Sequence, residues 1–162
     1  MLTKTEFLAA LKRESAILTH LAGRLRPKHL KFRFTKPQRS TLDLLQYLTI
    51  NAQAGVGYHV TGSWDHWDKL EASSKKVTLR NFAAALKKQE KAITKQLKSL
   101  SERDFALKRV KQMGGKGTLP LAQSLFQGTL TMCIGYRMQL FLQAKAAGIA
   151  DLKSSDLWFG RA

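Results

Sequence analysis

Cysteine, proline and long hydrophobic runs are scarce in this sequence, and these shortages narrow the class of protein. Cys133 is the single cysteine, so no disulfide can form within the chain, and a reducing, cytoplasmic setting is the expectation. No stretch of about 18 apolar residues occurs, so no membrane-spanning helix is predicted. The first residues lack the apolar core of a signal peptide. Hydrophobic residues make up 44% of the chain, which predicts one globular domain over residues 1–162.

Acidic side chains are also few. The chain has 28 Lys and Arg against 11 Asp and Glu, a formal net charge of +17. Residues 69–116 alone hold 14 basic and 4 acidic residues, and Lys87, Lys91, Lys95 and Lys98 recur at helical spacing. Such a field attracts polyanions without reading a sequence. A non-specific polyanion- or nucleic-acid-binding module is therefore one hypothesis, although few aromatic residues are interleaved there to stack bases.

Apolar residues recur at helical intervals and predict four long helices. The first begins after a capping box that starts at Thr3 and runs to about residue 25. The second begins after a similar box, in which Asp43 stands three residues beyond Ser40, and continues toward Tyr58. Both starts depend on side chains that accept hydrogen bonds from the free N–H groups of a first helical turn.

The third and last helices flank the stretch in which the helical period fails. Thr78 can cap the third helix, and residues 101–117 then form an irregular linker. The last helix begins near Thr118, with Pro120 at an early position, and ends where Gly148 offers a stop. The pattern predicts an all-α fold, a four-helix bundle with one irregular linker before the last helix.

No complete catalytic or metal-binding set can be assembled from the sequence. The four histidines, His20, His29, His59 and His66, include no pair spaced i, i+4, which would place two metal ligands on one helical face. No Ser-His-Asp or Cys-His arrangement is evident, and Cys133 lies in an apolar stretch that favours an inert thiol. We therefore predict no catalytic residue and no cofactor, and an enzyme is the less favoured class.

Two segments resemble motifs of the DinB/YfiT-like family. The stretch Ser-Thr-Leu-Asp-Leu-Leu-Gln-Tyr-Leu at 40–48 is similar to its second-helix motif, and Tyr-Arg-Met-Gln-Leu at 136–140 to its last-helix motif. The resemblance covers nearly the whole chain. It implies a four-helix bundle, often dimeric, that holds a divalent metal with one histidine on the second helix and an H-x-x-x-H pair on the last. Some members are thiol-dependent S-transferases or isomerases that use mycothiol or bacillithiol.

Carried over by this resemblance, the three metal positions fall on Tyr47, Met132 and Tyr136, and none is a histidine. An imidazole offers a neutral nitrogen lone pair at pH 7. A tyrosine oxygen must first lose a proton with a pKa of about 10, and a thioether suits soft ions. The replacements imply that the metal and its chemistry are lost in this chain.

A polar, aromatic-lined pocket between the second and last helices is the expected replacement. On one straight helix Tyr47, Asn51 and Tyr58 share a face, and on the last helix Met132 and Tyr136 share a face with three polar neighbours. Those neighbours are Thr129, Gln139 and Gln143. The groups can either satisfy one another or hold a small molecule.

The leading hypothesis is therefore a small-ligand-binding or interaction protein. A homodimer is a possible assembly, and no association with a membrane is predicted. Its unidentified ligand would contact Tyr47, Asn51, Tyr58, Met132, Tyr136 and Gln139. The enzyme alternative is a metal-dependent thiol S-transferase with non-standard ligands, which would recruit His59 or His66.

Overall fold

Helices account for most of the chain in the computed structural model, which describes residues 3–162. In chain order they are α1 (Lys4–Gly23), α2 (Thr41–Leu48), α3 (Asn51–Thr61), α4 (Trp67–Ser74), α5 (Phe82–Leu97), α6 (Glu102–Leu107), α7 (Leu121–Ser124), α8 (Thr131–Ala146) and α9 (Ser154–Phe159). A 3₁₀ turn spans Pro27–His29, and a π-helical segment, Leu125–Leu130, joins α7 to α8. The all-α prediction is confirmed. Within the described residues, no helix combines the length and apolar character that crossing a membrane requires.

Both predicted capping boxes are present. At the start of α1 the Glu6 backbone N–H donates to Thr3 Oγ1 over 3.1 Å, and Glu6 Oε2 accepts from the Thr3 backbone N–H over 2.8 Å. At the start of α2 the reciprocal bonds between Ser40 and Asp43 measure 3.2 and 3.1 Å. Each box satisfies two backbone donors that a helix start otherwise leaves unpaired.

The second predicted helix is two helices, which corrects the prediction of one continuous element. α2 ends at Leu48 and α3 begins at Asn51. The Gln89 side chain of α5 lies at this break, where its amide nitrogen donates to the Leu48 carbonyl over 3.0 Å and its oxygen accepts from the Gln53 N–H over 3.1 Å. Gln89 thus supplies hydrogen bonds that an unbroken helix would make internally, so the bend is stable inside the bundle.

The predicted linker contains an element that helical periodicity cannot detect. After α6, strands β1 (Arg109–Lys111) and β2 (Thr118–Pro120) pair antiparallel, with Val110 opposite Leu119. Thr118 therefore lies in a strand instead of capping the last helix, and Pro120 is the residue that precedes α7. The helix that we predicted as the third is α5, and it begins at Phe82, four residues beyond the predicted cap Thr78. Gly148, with φ of +112°, follows the end of α8 as predicted.

Two hydrophobic clusters fill the bundle. One includes Leu21, Leu44 and Leu140, and the other includes Phe7 and Phe105. Charged groups also join the helices: a buried ion pair of 2.8 Å links Glu14 of α1 to Arg137 of α8, and Asp156 of α9 accepts hydrogen bonds from His20 and Arg24. These contacts fix α1, α8 and α9 relative to one another.

Candidate functional site

The fold brings together the three positions that the resemblance assigned to metal ligands. Tyr47 lies on α2, and Met132 and Tyr136 lie on the facing helix α8. The Tyr47 hydroxyl is 3.6 Å from Met132 Sδ, and the two tyrosine rings meet edge to face with centroids 4.9 Å apart. All three side chains are half-buried. We call them the tyrosine cluster; its members contact one another directly.

Arg39 covers this cluster. Its guanidinium carbon lies 3.9 Å from the Tyr47 ring centroid and 5.8 Å from the Tyr136 ring centroid, which is within the range of cation–π attraction. The backbone of Arg39 is fixed as well, because the buried Gln143 amide donates to its carbonyl over 3.0 Å. Among residues 3–162 no carboxylate forms an ion pair with Arg39.

The tyrosine cluster does not fit a divalent metal ion. Burial, together with the neighbouring Tyr136, raises the pKa of Tyr47 to about 12, so its phenol keeps its proton at pH 7. Met132 offers a thioether, which suits soft ions, and Arg39 already places a positive charge over the rings. Across the described part of the chain, no group of three His, Cys, Asp or Glu side chains is placed to hold a metal.

The other predicted pocket residues lie outside this cluster. Asn51 is buried, with its amide nitrogen 3.9 Å from Cys133 Sγ. Burial raises the pKa of the Cys133 thiol to about 12, which keeps it protonated and unreactive. Tyr58 stacks on Trp64 with ring centroids 4.7 Å apart, and Gln139 is half-buried on α8. The face predicted for Tyr47, Asn51 and Tyr58 assumed one straight helix, whereas the break before Asn51 places Tyr47 on α2 and the other two on α3.

A cavity of about 370 Å³ opens on the α4 side of Tyr47. Trp67 of α4 forms a second aromatic wall, with its ring centroid 6.3 Å from that of Tyr47. The remaining lining residues come from the 33–39 segment, α2, the break that follows it and the end of α4: Arg33, Pro37, Gln38, Arg39, Asp43, Gln46, Ile50, Glu71, Ser74 and Lys75. None is from α8. The cavity therefore does not lie between the second and last helices, where we expected it, because the tyrosine cluster fills that space.

Three cations and two carboxylates surround this Tyr47 cavity. The cations are Arg33, Arg39 and Lys75. Asp43 is already engaged: it caps α2 and lies 3.6 Å from Arg33. The Ser40 hydroxyl, as the largest influence, holds the pKa of Asp43 below its usual value. Glu71 is thus the carboxylate left to balance Arg39 and Lys75, and the cavity favours an anion.

A second cavity, of about 410 Å³, lies between α3, α4 and α5. Its lining is mostly apolar and includes Ile50 and Ser74, which also line the Tyr47 cavity. Lys69 and Lys88 line it, and the Gln96 amide oxygen is buried there without a partner among the described residues. An amphipathic anion could occupy this α5 cavity, so any binding experiment must distinguish the two.

Arg39, Trp67 and Lys75 were missed in the sequence. Arg39 lies in an irregular segment, where helical periodicity carries no information. A signal did exist for Trp67, because the polar stretch Ser-Trp-Asp-His-Trp-Asp at 63–68 holds two tryptophans that a solvated loop does not need. Lys87, Lys91 and Lys95 are exposed on α5, and Lys98 is exposed directly after its end, so the basic face is present as a surface. Polyanion binding stays a prediction.

Comparison with known proteins supports the fold. No protein-family model and no curated protein sequence matches the chain. The crystal structure of a DinB-like protein, YjoA, from Bacillus subtilis is similar, with a TM-score of 0.64 and 12% sequence identity over 91% of this chain and 96% of that chain. An identity this low shows the fold alone. The chain therefore has the all-α fold of a DinB-like protein.

Proposed function

We propose that this protein binds a small organic anion that carries a flat ring, in the Tyr47 cavity and without a metal. The observation that carries the proposal is Arg39, a guanidinium seated 3.9 Å from the Tyr47 ring centroid, at the cavity wall, with no carboxylate partner among residues 3–162. A guanidinium presents paired N–H donors that match a carboxylate. The group is positioned and charged, and its pairing capacity is free.

Two further features support a flat ring on the ligand. The half-buried rings of Tyr47 and Trp67 border the cavity and are tilted by 56° to each other, which leaves aromatic faces for stacking. The volume of about 370 Å³ suits a small molecule. Aromatic walls with a few convergent polar groups are typical of small-molecule sites.

The proposal includes loss of the metal chemistry of the fold. Support comes from the protonated Tyr47 phenol, the Met132 thioether and the Arg39 charge, which together form a poor donor set for zinc or nickel. The test is metal analysis of protein purified without a histidine tag. We expect no stoichiometric divalent ion. One tightly held ion per chain, lost in a Tyr47→Phe, Tyr136→Phe double variant, would contradict the proposal and favour the metal-dependent transferase.

Anion binding can be tested with 2-naphthoate, a flat aromatic carboxylate, by calorimetry and tryptophan fluorescence at physiological salt. Arg39→Gln removes a charge-assisted bond, so we expect affinity to fall by about tenfold or more. Lys88→Gln removes the same charge from the α5 cavity and is the matched control, with an expected change below about twofold.

Other patterns of loss would contradict this proposal. A loss with Lys88→Gln and none with Arg39→Gln would move the ligand to the α5 cavity. Equal losses with Arg39→Gln and Lys95→Gln, which lies on the exposed basic face, would show general charge attraction and favour the polyanion hypothesis. The homodimer stays a prediction, which light scattering of the purified protein would test.

A further inference from the structure

A buried histidine outside the Tyr47 cavity has one ring nitrogen without a partner. His59, on α3, is 2% exposed, and its Nδ1 lies 3.1 Å from the Oγ of the buried Ser124 on α7. Its other nitrogen, Nε2, makes no hydrogen bond with any described residue. A buried polar atom left unpaired opposes folding, so its presence in a native core calls for a physical reason.

The unpaired nitrogen is buried against a glycine. A Cβ on Gly128 would lie 3.1 Å from His59 Nε2, so the ring can sit this close only because residue 128 has no side chain. Gly128 belongs to the π-helical segment Leu125–Leu130. Such segments are rare, form i to i+5 backbone hydrogen bonds in place of i to i+4, and recur at functional sites. Here the segment places its glycine opposite the histidine.

His59 and Gly128 both line a cavity of about 190 Å³, which we call the His59 cavity. Residues of the β-hairpin, of α7 and of the π-helical segment enclose it: Gln112, Met113, Leu119, Ser124, Gln127 and Gly128, together with His59 itself. The side-chain amides of Gln112 and Gln127 offer further hydrogen-bond donors. The lining contains no carboxylate. A ligand with an acceptor group and a short apolar tail suits these walls.

The hydrogen bond to Ser124 decides which role Nε2 plays. If the Ser124 hydroxyl donates to Nδ1, the hydroxyl proton is paired and the ring proton is on Nε2. The opposite tautomer would leave both the hydroxyl proton and the Nε2 lone pair unpaired, so the first is favoured. Burial lowers the pKa of His59, which keeps the ring neutral with a single N–H. Nε2 therefore carries a proton that no described residue accepts, on a ring that lines the cavity.

We propose that the His59 cavity is a binding site for a small aliphatic monocarboxylate, whose oxygen accepts a hydrogen bond from His59 Nε2–H. A buried carboxylate requires donors and the absence of nearby negative charge, and this lining provides both. Lys111 and Lys116 flank the Gln112–Met113 pair in the chain and add to the positive field of the hairpin. The proposal does not depend on the Tyr47 cavity.

The test uses butyrate as the probe and the full chain labelled with ¹⁵N at histidine. The His59 imidazole resonance is assigned by its loss in a His59→Gln variant. We expect a saturable shift of the Nε2 signal, with a Kd on the order of millimolar. Butyramide has nearly the same shape without the charge, and we expect its affinity to be lower than that of butyrate by at least about tenfold.

Two pairs of variants locate the binding. Gly128→Ala places a methyl group 3.1 Å from Nε2 in the cavity wall, and we expect affinity to fall by about tenfold or more. Gly135→Ala, on α8 with no atom within 4 Å of the new Cβ, is its control and leaves affinity unchanged. Gln127→Glu puts a negative charge in the cavity wall and abolishes binding. Gln123→Glu is the matched control, because Gln123 is exposed and does not line the cavity.

Three results would overturn the proposal. The first is the absence of a saturable His59 shift in the unaltered protein. The second is butyramide binding as tightly as butyrate, which would refute the carboxylate. The third is unchanged affinity in Gln127→Glu, an exposed substitution that should leave the fold intact even if Gly128→Ala does not fold.

Discussion

The tyrosine cluster lies between α2 and α8, and the His59 cavity lies between α3, the β-hairpin and the π-helical segment. These two polar regions differ in whether their polar groups are paired. In the cluster, the Tyr47 hydroxyl lies 3.6 Å from Met132 Sδ and Arg39 covers the rings. In the His59 cavity, Nε2 has no partner among the described residues. The difference lies in packing: two tyrosines and a methionine fill the first region, whereas a cavity of about 190 Å³ remains beside His59 and Gly128 in the second.

Paired and unpaired polar groups in the interior have opposite effects on the stability of the bundle. Paired groups such as the Tyr47 hydroxyl and Met132 Sδ stabilise the bundle whether or not a ligand is bound. Unpaired groups beside a cavity lower the free energy of unfolding, and such groups are typical of functional sites. Stability measurements can therefore distinguish the two regions independently of any ligand.

The largest effect is expected from breaking the cluster. Tyr47→Ala removes a ring that packs on Tyr136, Trp67 and Arg39, and we expect it to lower the free energy of unfolding by about 2–3 kcal/mol. Tyr47→Phe removes only the hydroxyl contact with Met132 and should cost about 0.5 kcal/mol or less. Urea unfolding measures both. Equal losses would show that the hydroxyl, and not ring packing, holds the cluster together.

A smaller effect is expected from adding a side chain beside His59. Alanine in place of a helical glycine usually stabilises a protein by about 1 kcal/mol. Gly135→Ala, with no atom within 4 Å of its new Cβ, should show that gain, whereas Gly128→Ala meets His59 Nε2 at 3.1 Å and should show little or none. Thermal unfolding of the two variants gives the comparison. If Gly128→Ala stabilises the protein as much as Gly135→Ala does, His59 moves aside freely, and the two regions do not differ as we infer.

The smallest effect is expected in the pH dependence of stability. The His59 region affects stability at acidic pH, and the tyrosine cluster affects it at alkaline pH. Burial lowers the pKa of His59 below its usual 6.5, so its stabilising contribution is present above pH 6.5 and is lost as the pH falls below it. Burial raises the pKa of Tyr47 from 10.0 to about 12, so its contribution is present below pH 10 and is lost as the pH rises toward 12.

Single substitutions test these assignments by pH-dependent urea unfolding. His59→Phe should flatten part of the acid limb and leave the alkaline limb unchanged, and Tyr47→Phe should do the reverse. Some acid dependence will persist in His59→Phe, because burial also lowers the pKa of His29. An unchanged acid limb in His59→Phe would show that this ring is not the neutral donor we infer.

Local sequence signals predicted the parts of the fold that local contacts determine. The capping boxes at Thr3 and Ser40 and the stop at Gly148 need only residues near one another in the chain, and all three are confirmed. The break before Asn51 was missed because its hydrogen bonds come from Gln89, on another helix. Helical periodicity has no means of reporting a partner so distant.

The same difference between local and long-range contacts explains which site residues the sequence could predict. The meeting of Tyr47 with Met132 and Tyr136 followed from a family resemblance, which encodes how two helices face each other. His59 and Ser124 are 65 residues apart and match no spacing rule, so their hydrogen bond appears only in the structure. Arg39 has no periodic signal either, and it is the residue on which the proposed anion site depends.

The π-helical segment also affects how this chain should be aligned with other bundles. A π turn spans one residue more than an α turn, so residues before Leu125 are displaced by one position relative to those after Leu130. A relative with a regular α-helix here needs one residue fewer to keep both ends in register. An ungapped alignment would therefore match either Ser124 or Tyr136 correctly, but not both, and a single-residue gap at 125–130 is required to compare both regions with such a relative.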